Sequence, residues 1–161
     1  MAYTKELIKQ NYPFPAYNYR VEIAGETVSF SNVSGLSIGF EAHTYKESPS
    51  AGDKAGPVVM RMPAQQADVK ITLKKGLVKS KSMTTLYKWI RDIKINQIEK
   101  KDILIHLLDE AGGPIITWNV INAFPTKLDA PSFDATSNDV AIETMELTAD
   151  NILISEVGVT L

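Results

Sequence analysis

The sequence predicts a mainly β protein with one flanking α-helix, its strands folded into a sandwich or barrel against which the helix packs. Three observations lead there. Most apolar residues recur with the strand period of two. One segment alone switches to spacings of three and four. Apolar residues fill 44% of the 161 positions and charged ones 22%, the balance of a globular domain with its own core. The chain is therefore read as one domain, 1–161, with residues 1–11 as an N-terminal arm.

The first strand runs from Tyr17 to Ile23, where Tyr17, Tyr19, Val21 and Ile23 alternate with polar residues. Ala24-Gly25-Glu26 reads as a tight connection into a second strand carrying Val28 and Phe30. After Ser34-Gly35, a third strand places Leu36, Ile38, Phe40 and Ala42 on one face, and a fourth spans Asp68 to Lys74. Ile103 to Leu108, apolar except for His106, reads as a strand covered on both faces. A turn at Asp109 to Pro114 leads to a strand from Ile115 to Phe124. Val140 and Ile142 have one parity and Met145 and Leu147 the other, which predicts a bulge near Glu143 or Thr144. Ile152 to Leu161 supplies a last strand.

The helical segment is Met83 to Ile93. Met83, Leu86, Ile90 and Ile93 fall on one face with Trp89 beside them, and Ser82 is placed as N-cap. Lys88, Arg91 and Asp92 are expected to point outward. Lys46 to Pro57 and Lys127 to Asp139 read as loops from their Gly, Pro, Ser and Asp content. Before the first strand, Leu7 and Ile8 mark either a short helical turn or a mobile arm.

The residue inventory does not assemble a catalytic or metal site. There is no cysteine, no Gly-x-Ser-x-Gly elbow and no phosphate loop ending in Gly-Lys-Ser/Thr. His43 and His106 lie on separate expected strands, and His106 is expected to be a satisfied sheet histidine. Asp129, Asp134 and Asp139 lack the calcium-loop spacing and suit loop capping. The expectation is a non-enzyme without cofactor or metal. Residues 1–11 mix Lys5, Glu6 and Lys9 with scattered apolar side chains, unlike a secretory leader, and no run of about 18 apolar residues occurs. The chain is expected to be made and folded in the cytoplasm, without a membrane anchor.

Charge placement is informative. Residues 70–101 hold ten basic side chains and two acids, a net of +8, which leaves −10 for the rest of a chain whose total is −2. Three readings of the basic segment stand: a nucleic-acid surface, a solvated helix face, or a surface that meets an acidic face of another subunit. Nucleic acid fits least, because Tyr87 and Trp89 sit on a helix that must bury a face rather than on an open sheet.

The order of local motifs is similar to a known family. Tyr12-Pro13-Phe14-Pro15, Phe30-Ser31-Asn32-Val33-Ser34-Gly35-Leu36 and Ile71-Thr72-Leu73-Lys74-Lys75-Gly76 resemble contractile phage tail-tube proteins. So do Leu108-Asp109-Glu110-Ala111-Gly112, Trp118-Asn119, Asn122-Ala123-Phe124-Pro125 and the stretch from Phe133 to Ala141. Asn96 to Ile103 resembles most closely the tube subunits of extracellular contractile injection systems. The stretch Ser48 to Val58 departs by its greater length.

The resemblance implies two packed antiparallel sheets of the tail-tube type, and six subunits closed into a ring. Stacked rings form a hollow tube that a contracting sheath drives through a target envelope. It implies as partners further copies of the chain, the sheath protein, baseplate and spike proteins, and cargo in the lumen, with an injection particle that is released outside the cell. Specific nucleic acid is not among them. The long loop, with Lys46, Glu47, Ser48, Asp53 and Lys54, is expected to reach from ring to ring. Lys79, Lys81, Lys88 and Arg91 are expected on an outer or inter-subunit surface. A tube-initiator paralogue, the tail tube of a true contractile phage and, from another class, a small nucleic-acid-binding β-protein remain as alternatives.

Overall fold

The computed structural model describes residues 2–49, 52 and 55–161. Along the chain these form α1 (Lys5–Asn11), β1 (Tyr19–Ile23), β2 (Glu26–Val28), β3 (Asn32–Ser34), β4 (Phe40–Glu47), β5 (Val58–Gln66) and β6 (Val69–Gly76). Then come α2, made of a π-helical turn Met83–Tyr87 and an α-helical turn Lys88–Arg91, and β7 (Lys101–Leu108), β8 (Pro114–Asp129), β9 (Ile142–Ala149) and β10 (Asn151–Glu156). Every strand pair is antiparallel.

Strand β8 holds the two halves of the main sheet together. Its first part pairs with β7 on one side and β10 on the other; its last part pairs with β9. The order β2-β1-β7-β8-β9-β6-β3 follows, without a closed barrel. Two irregularities bend β8 as it crosses. Asn122, at φ 54°, falls where the β7 register jumps, and an Asn tolerates this left-handed conformation because its side chain bonds locally. Here Asn122 N–H donates to Asp102 Oδ1 at 2.9 Å and its amide to Asp150 Oδ2 at 2.9 Å. The Asn122 bond and, after it, Lys100 hold the Asp150 carboxyl below its ordinary range. The second irregularity lies between Pro125 and Lys127, where β8 carries one residue more than β9; a bulge beside Pro125 suits a residue that has no N–H to give the ladder.

The core follows from the period-two pattern. Val21 and Ile23, Val69, Ile71 and Leu73, Ile103 and Ile105, and Met145, Leu147 and Ala149 are buried in alternation on their strands. Val120, Ala123 and Ile152 join them, and Leu86 and Trp89 close the core from α2, which packs on β8. Trp89 donates from its indole to the Glu99 carbonyl at 2.9 Å, so its polar atom is satisfied in place.

Several expectations shift. Tyr17 lies outside β1 and is exposed, whereas the connection Ala24-Gly25 is a two-residue turn with both φ values positive, 50° and 86°. The expected third strand starts late: Leu36 and Ile38 lie in no strand and pairing begins only at Phe40, while β3, ending at Ser34, is a short strand before it that was not expected. Gly35 explains the gap. Its φ is +87°, and a Cβ there would stand 2.2 Å from the Lys70 carbonyl oxygen, so the chain passes tightly over β6 and leaves the sheet. The bulge expected near Glu143 or Thr144 is absent from β9, which pairs with β6 without a register shift; Val140 is simply outside the strand, and the irregularity belongs to β8. β7 alternates, with Ile103 and Ile105 buried and the residues between them partly exposed.

The helix also differs in detail. Residues 81–82 are already helical, so Ser82 is inside it and not an N-cap; its hydroxyl accepts from the Val78 N–H at 3.2 Å. The wide π turn, marked by the Lys88 N–H donating to the Met83 carbonyl, rotates the inward face. Leu86 and Trp89 are buried, Ile90 is half-buried, and Met83 is 59% exposed. Lys88, Arg91 and Asp92 point outward as expected. Leu86→Ala should therefore cost about 2–5 kcal/mol in denaturant unfolding, and Ile90→Ala clearly less. Equal losses at the two positions would show that the face is misassigned.

Candidate assembly surfaces

Most polar groups that sequence reasoning screened for chemistry have structural partners. His106 Nδ1 lies 2.8 Å from Thr117 Oγ1, and Nε2 lies 3.6 Å from Glu22 Oε1, the satisfied sheet histidine expected. Asp134 Oδ1 accepts from the N–H and the hydroxyl of Thr136 at 2.9 and 2.7 Å, an Asx-turn that holds its carboxyl below the ordinary range. Asp129 pairs with Lys127 at 3.1 Å. Among the described residues, no group of three or more His, Asp or Glu is placed to hold a metal ion, and no helix is long and apolar enough to cross a membrane.

The unusual feature is the hairpin β4–β5, a two-stranded sheet separate from the main one. None of its residues is buried. The register pairs His43 with Met62, Tyr45 with Met60 and Glu47 with Val58, so these six side chains share one face. Tyr45, Val58, Met60 and Met62 are 60%, 43%, 46% and 62% exposed. At the base, Ala67 N–H donates to the Gly39 carbonyl at 2.9 Å, and the Gln66 amide to Asn151 Oδ1 at 3.1 Å. An isolated two-stranded ribbon is marginal in water, and an apolar strand with open edges invites another chain. β10 offers a second open edge: among the described residues it pairs only with β8, and its Leu153 and Ile154 are half exposed.

The hairpin corrects the loop expected from Lys46 to Pro57. Lys46 and Glu47 belong to β4, Ser48 follows its end, and the connecting tip covers 48–57; Asp53 and Lys54 lie outside the described residues. Sequence reasoning missed β5 altogether. Its strand Val58-Val59-Met60-Arg61-Met62-Pro63 is apolar on one face and mixed on the other, and, with no core beneath it, gives no in/out alternation to read. The signal available was the cluster of β-branched and Met residues immediately after a Gly-Pro turn.

The four basic residues singled out are all exposed: Lys79 in the turn before α2, Lys81 where the helical residues begin, and Lys88 and Arg91 on its second turn. Arg91 is paired with Asp92 at 3.0 Å, whereas Lys79, Lys81 and Lys88 have no ion pair among the described residues. The basic segment is less uniform than its composition. Lys75 is buried and donates to the Ser29 carbonyl at 3.2 Å, Lys100 pairs with Asp150, and Lys101 lies over the Trp89 ring.

A sandwich with a free apolar hairpin, open strand edges and a basic helix defines a protein built to be joined to other chains. The chain belongs to the family described as T4-like virus tail tube protein gp19, which it matches over residues 15–152. It is similar to a chain of the sheath–tube complex of an extracellular contractile injection system, PVC, in the extended state: 41% identical, with a TM-score of 0.84, covering 97% of this chain and 100% of that one. A chain of the anti-feeding prophage cap, the AFP tube terminating cap, is 42% identical with a TM-score of 0.80, covering 91% and 93%. A chain of the anti-feeding prophage baseplate shares the fold, at 21% identity and a TM-score of 0.75, over 92% and 99%. No curated protein matches. The protein is a structural tube protein of the contractile injection type.

Because the exposed hairpin face contributes nothing to the subunit's own core, Met60→Ser with Met62→Ser should leave subunit unfolding within about 1 kcal/mol of the parent. Self-association in sedimentation should weaken markedly. Unchanged association would show that this face is not a contact.

Proposed function

We propose that this chain forms the inner tube of a phage-tail-like contractile injection particle, acting without catalysis. Six copies close a ring, rings stack into a hollow tube, and sheath contraction drives the tube through a target envelope. The observation that carries this reading is the bare β4–β5 hairpin in a chain of the tail-tube family. Its open edges and those of β10 find partners when copies repeat around an axis, and closure removes the lateral edges. The full-length likeness to a chain of a sheath–tube complex supports a sheath outside the tube, and the likeness to cap and baseplate chains supports partners at the tube's ends. The extracellular system to which that first chain belongs supports a particle that acts outside the cell.

The hairpin tip, with Lys46, Glu47, Ser48, Asp53 and Lys54, is proposed to reach the next ring. Ordering such a segment offsets much of the contact energy, so each contact is weak, but six engage together around a ring. Negative-stain microscopy tests both levels. The parent should give six-fold rings and tubes of uniform width; monomers alone at every concentration would sink the reading. Replacing Ser48 to Gly56 by a short Gly-Ser linker should leave rings but not long tubes, and long tubes from that variant would assign stacking to another surface.

Lys79, Lys81, Lys88 and Arg91 are proposed to face an acidic partner surface, the sheath included. Charge reversal at Lys79 and Lys88 should weaken that association more at low salt than at high salt, since screening already dulls such contacts. Equal binding by the reversed variant at every ionic strength would count against this role.

A further inference from the structure

Beside α2 lies an open pocket of about 400 Å³. Its apolar walls include Leu77, Val78, Met83 and Tyr87, and Lys79 and Glu143 also line it. The wall residues are 41–59% exposed, but Glu143 is only 6% exposed. Its Oε1 atom is shielded and accepts no hydrogen bond among the described residues. The cross-strand neighbour Lys75 forms no ion pair with it among the described residues, its Nζ donating to the Ser29 carbonyl. A buried carboxylate oxygen without a donor is costly, and an open apolar wall around it adds a second unmet demand. Together they describe half of an interface that needs an apolar side chain and a cationic donor.

The same chain carries that other half. α1 has no buried residue and, at seven residues, is too short to be stable without packing. Leu7 and Ile8 are 37% and 41% exposed. Lys5 stands three residues before Ile8, on the same helix face. Lys9 is engaged by Glu110, whereas Lys5 has no ion pair among the described residues. Glu6 offers the charge opposite to Lys79.

We propose that α1 of one copy docks into the Glu143 pocket of a neighbouring copy, with Leu7 and Ile8 against the apolar walls and Lys5 Nζ donating to the Glu143 carboxylate. This rests on the tube reading above. It assigns the N-terminal arm a receptor in the polymer, and it gives the buried carboxylate a partner that only assembly supplies.

The chain has no cysteine, which makes cross-linking clean. Ile8→Cys and Val78→Cys single variants, mixed, assembled and then oxidised, should give disulfide-linked dimers in tubes and none in unassembled protein. Glu143→Gln should melt at or above the parent temperature as a subunit, yet need about tenfold more protein to assemble, as should Lys5→Gln. Tubes from the mixed variants without cross-links, together with parental assembly by Glu143→Gln, would overturn the docking and leave the tube reading standing. A disulfide formed within single unassembled copies of the Ile8→Cys/Val78→Cys double variant would overturn it too, by showing that the arm folds onto its own pocket. Absence of tubes from the parent itself would instead remove the tube reading on which the proposal rests.

Discussion

The structure depends on one constraint: every backbone N–H and C=O of a strand needs a partner, and β8 is the strand through which most of the sheet meets that need. It is the only strand among those described that pairs with three others. The bends at Asn122 and at the Pro125–Lys127 irregularity let its two ends serve different halves of the sheet. Side chains of both halves then face a shared core, which α2 closes with Leu86 and Trp89. Other edges are left unfinished. The hairpin β4–β5 and the outer edge of β10 keep open backbone groups, and a soluble protein leaves such edges open only at the risk of joining other chains. On the tube reading proposed above, the same edges would be the means of assembly.

The division between subunit and polymer also explains what could be read from the sequence. Strands that bury one face announce themselves: Val69, Ile71 and Leu73 alternate with polar residues because a core lies under one side of β6. The buried residues of β1 were legible for the same reason, whereas β7, apolar apart from His106, read as covered on both faces and buries only Ile103 and Ile105. β5 was not legible, because no part of the subunit's core lies under it, so its apolar residues follow no alternation of buried and exposed positions. Gly35 and Asn122 gave no periodic signal either, since each answers to a close approach or a crossing that exists only once the sheet is folded. In α2 the packing of Leu86, Trp89 and, in part, Ile90 was legible from spacings of three and four, whereas Met83, counted on the same face, lies exposed at the start of the π turn.

The candidate surfaces were legible as composition rather than as geometry. The long segment after Glu47 and the excess of lysines in residues 70–101 stood out, but not their arrangement. Folding set the first between the paired strands β4 and β5 and divided the second: Lys75 went to the interior, Lys100 and Arg91 to acidic neighbours, and Lys79, Lys81 and Lys88 stayed free among the described residues. Glu143 was singled out only as the site of a bulge. Its burial without a donor appears when β9 is laid beside β6 and α2.

The central claim is that the β4–β5 hairpin takes its stability from neighbouring copies rather than from its own subunit. Amide hydrogen exchange over residues 40–66, followed in unassembled subunits and in assembled tubes, tests it most directly. The account predicts rapid exchange across the hairpin in free subunits, while β7 and β8 stay protected, and strong protection of the hairpin in tubes. Hairpin amides as slow as those of β8 in the free subunit, or no slower in tubes than in free subunits, would contradict it.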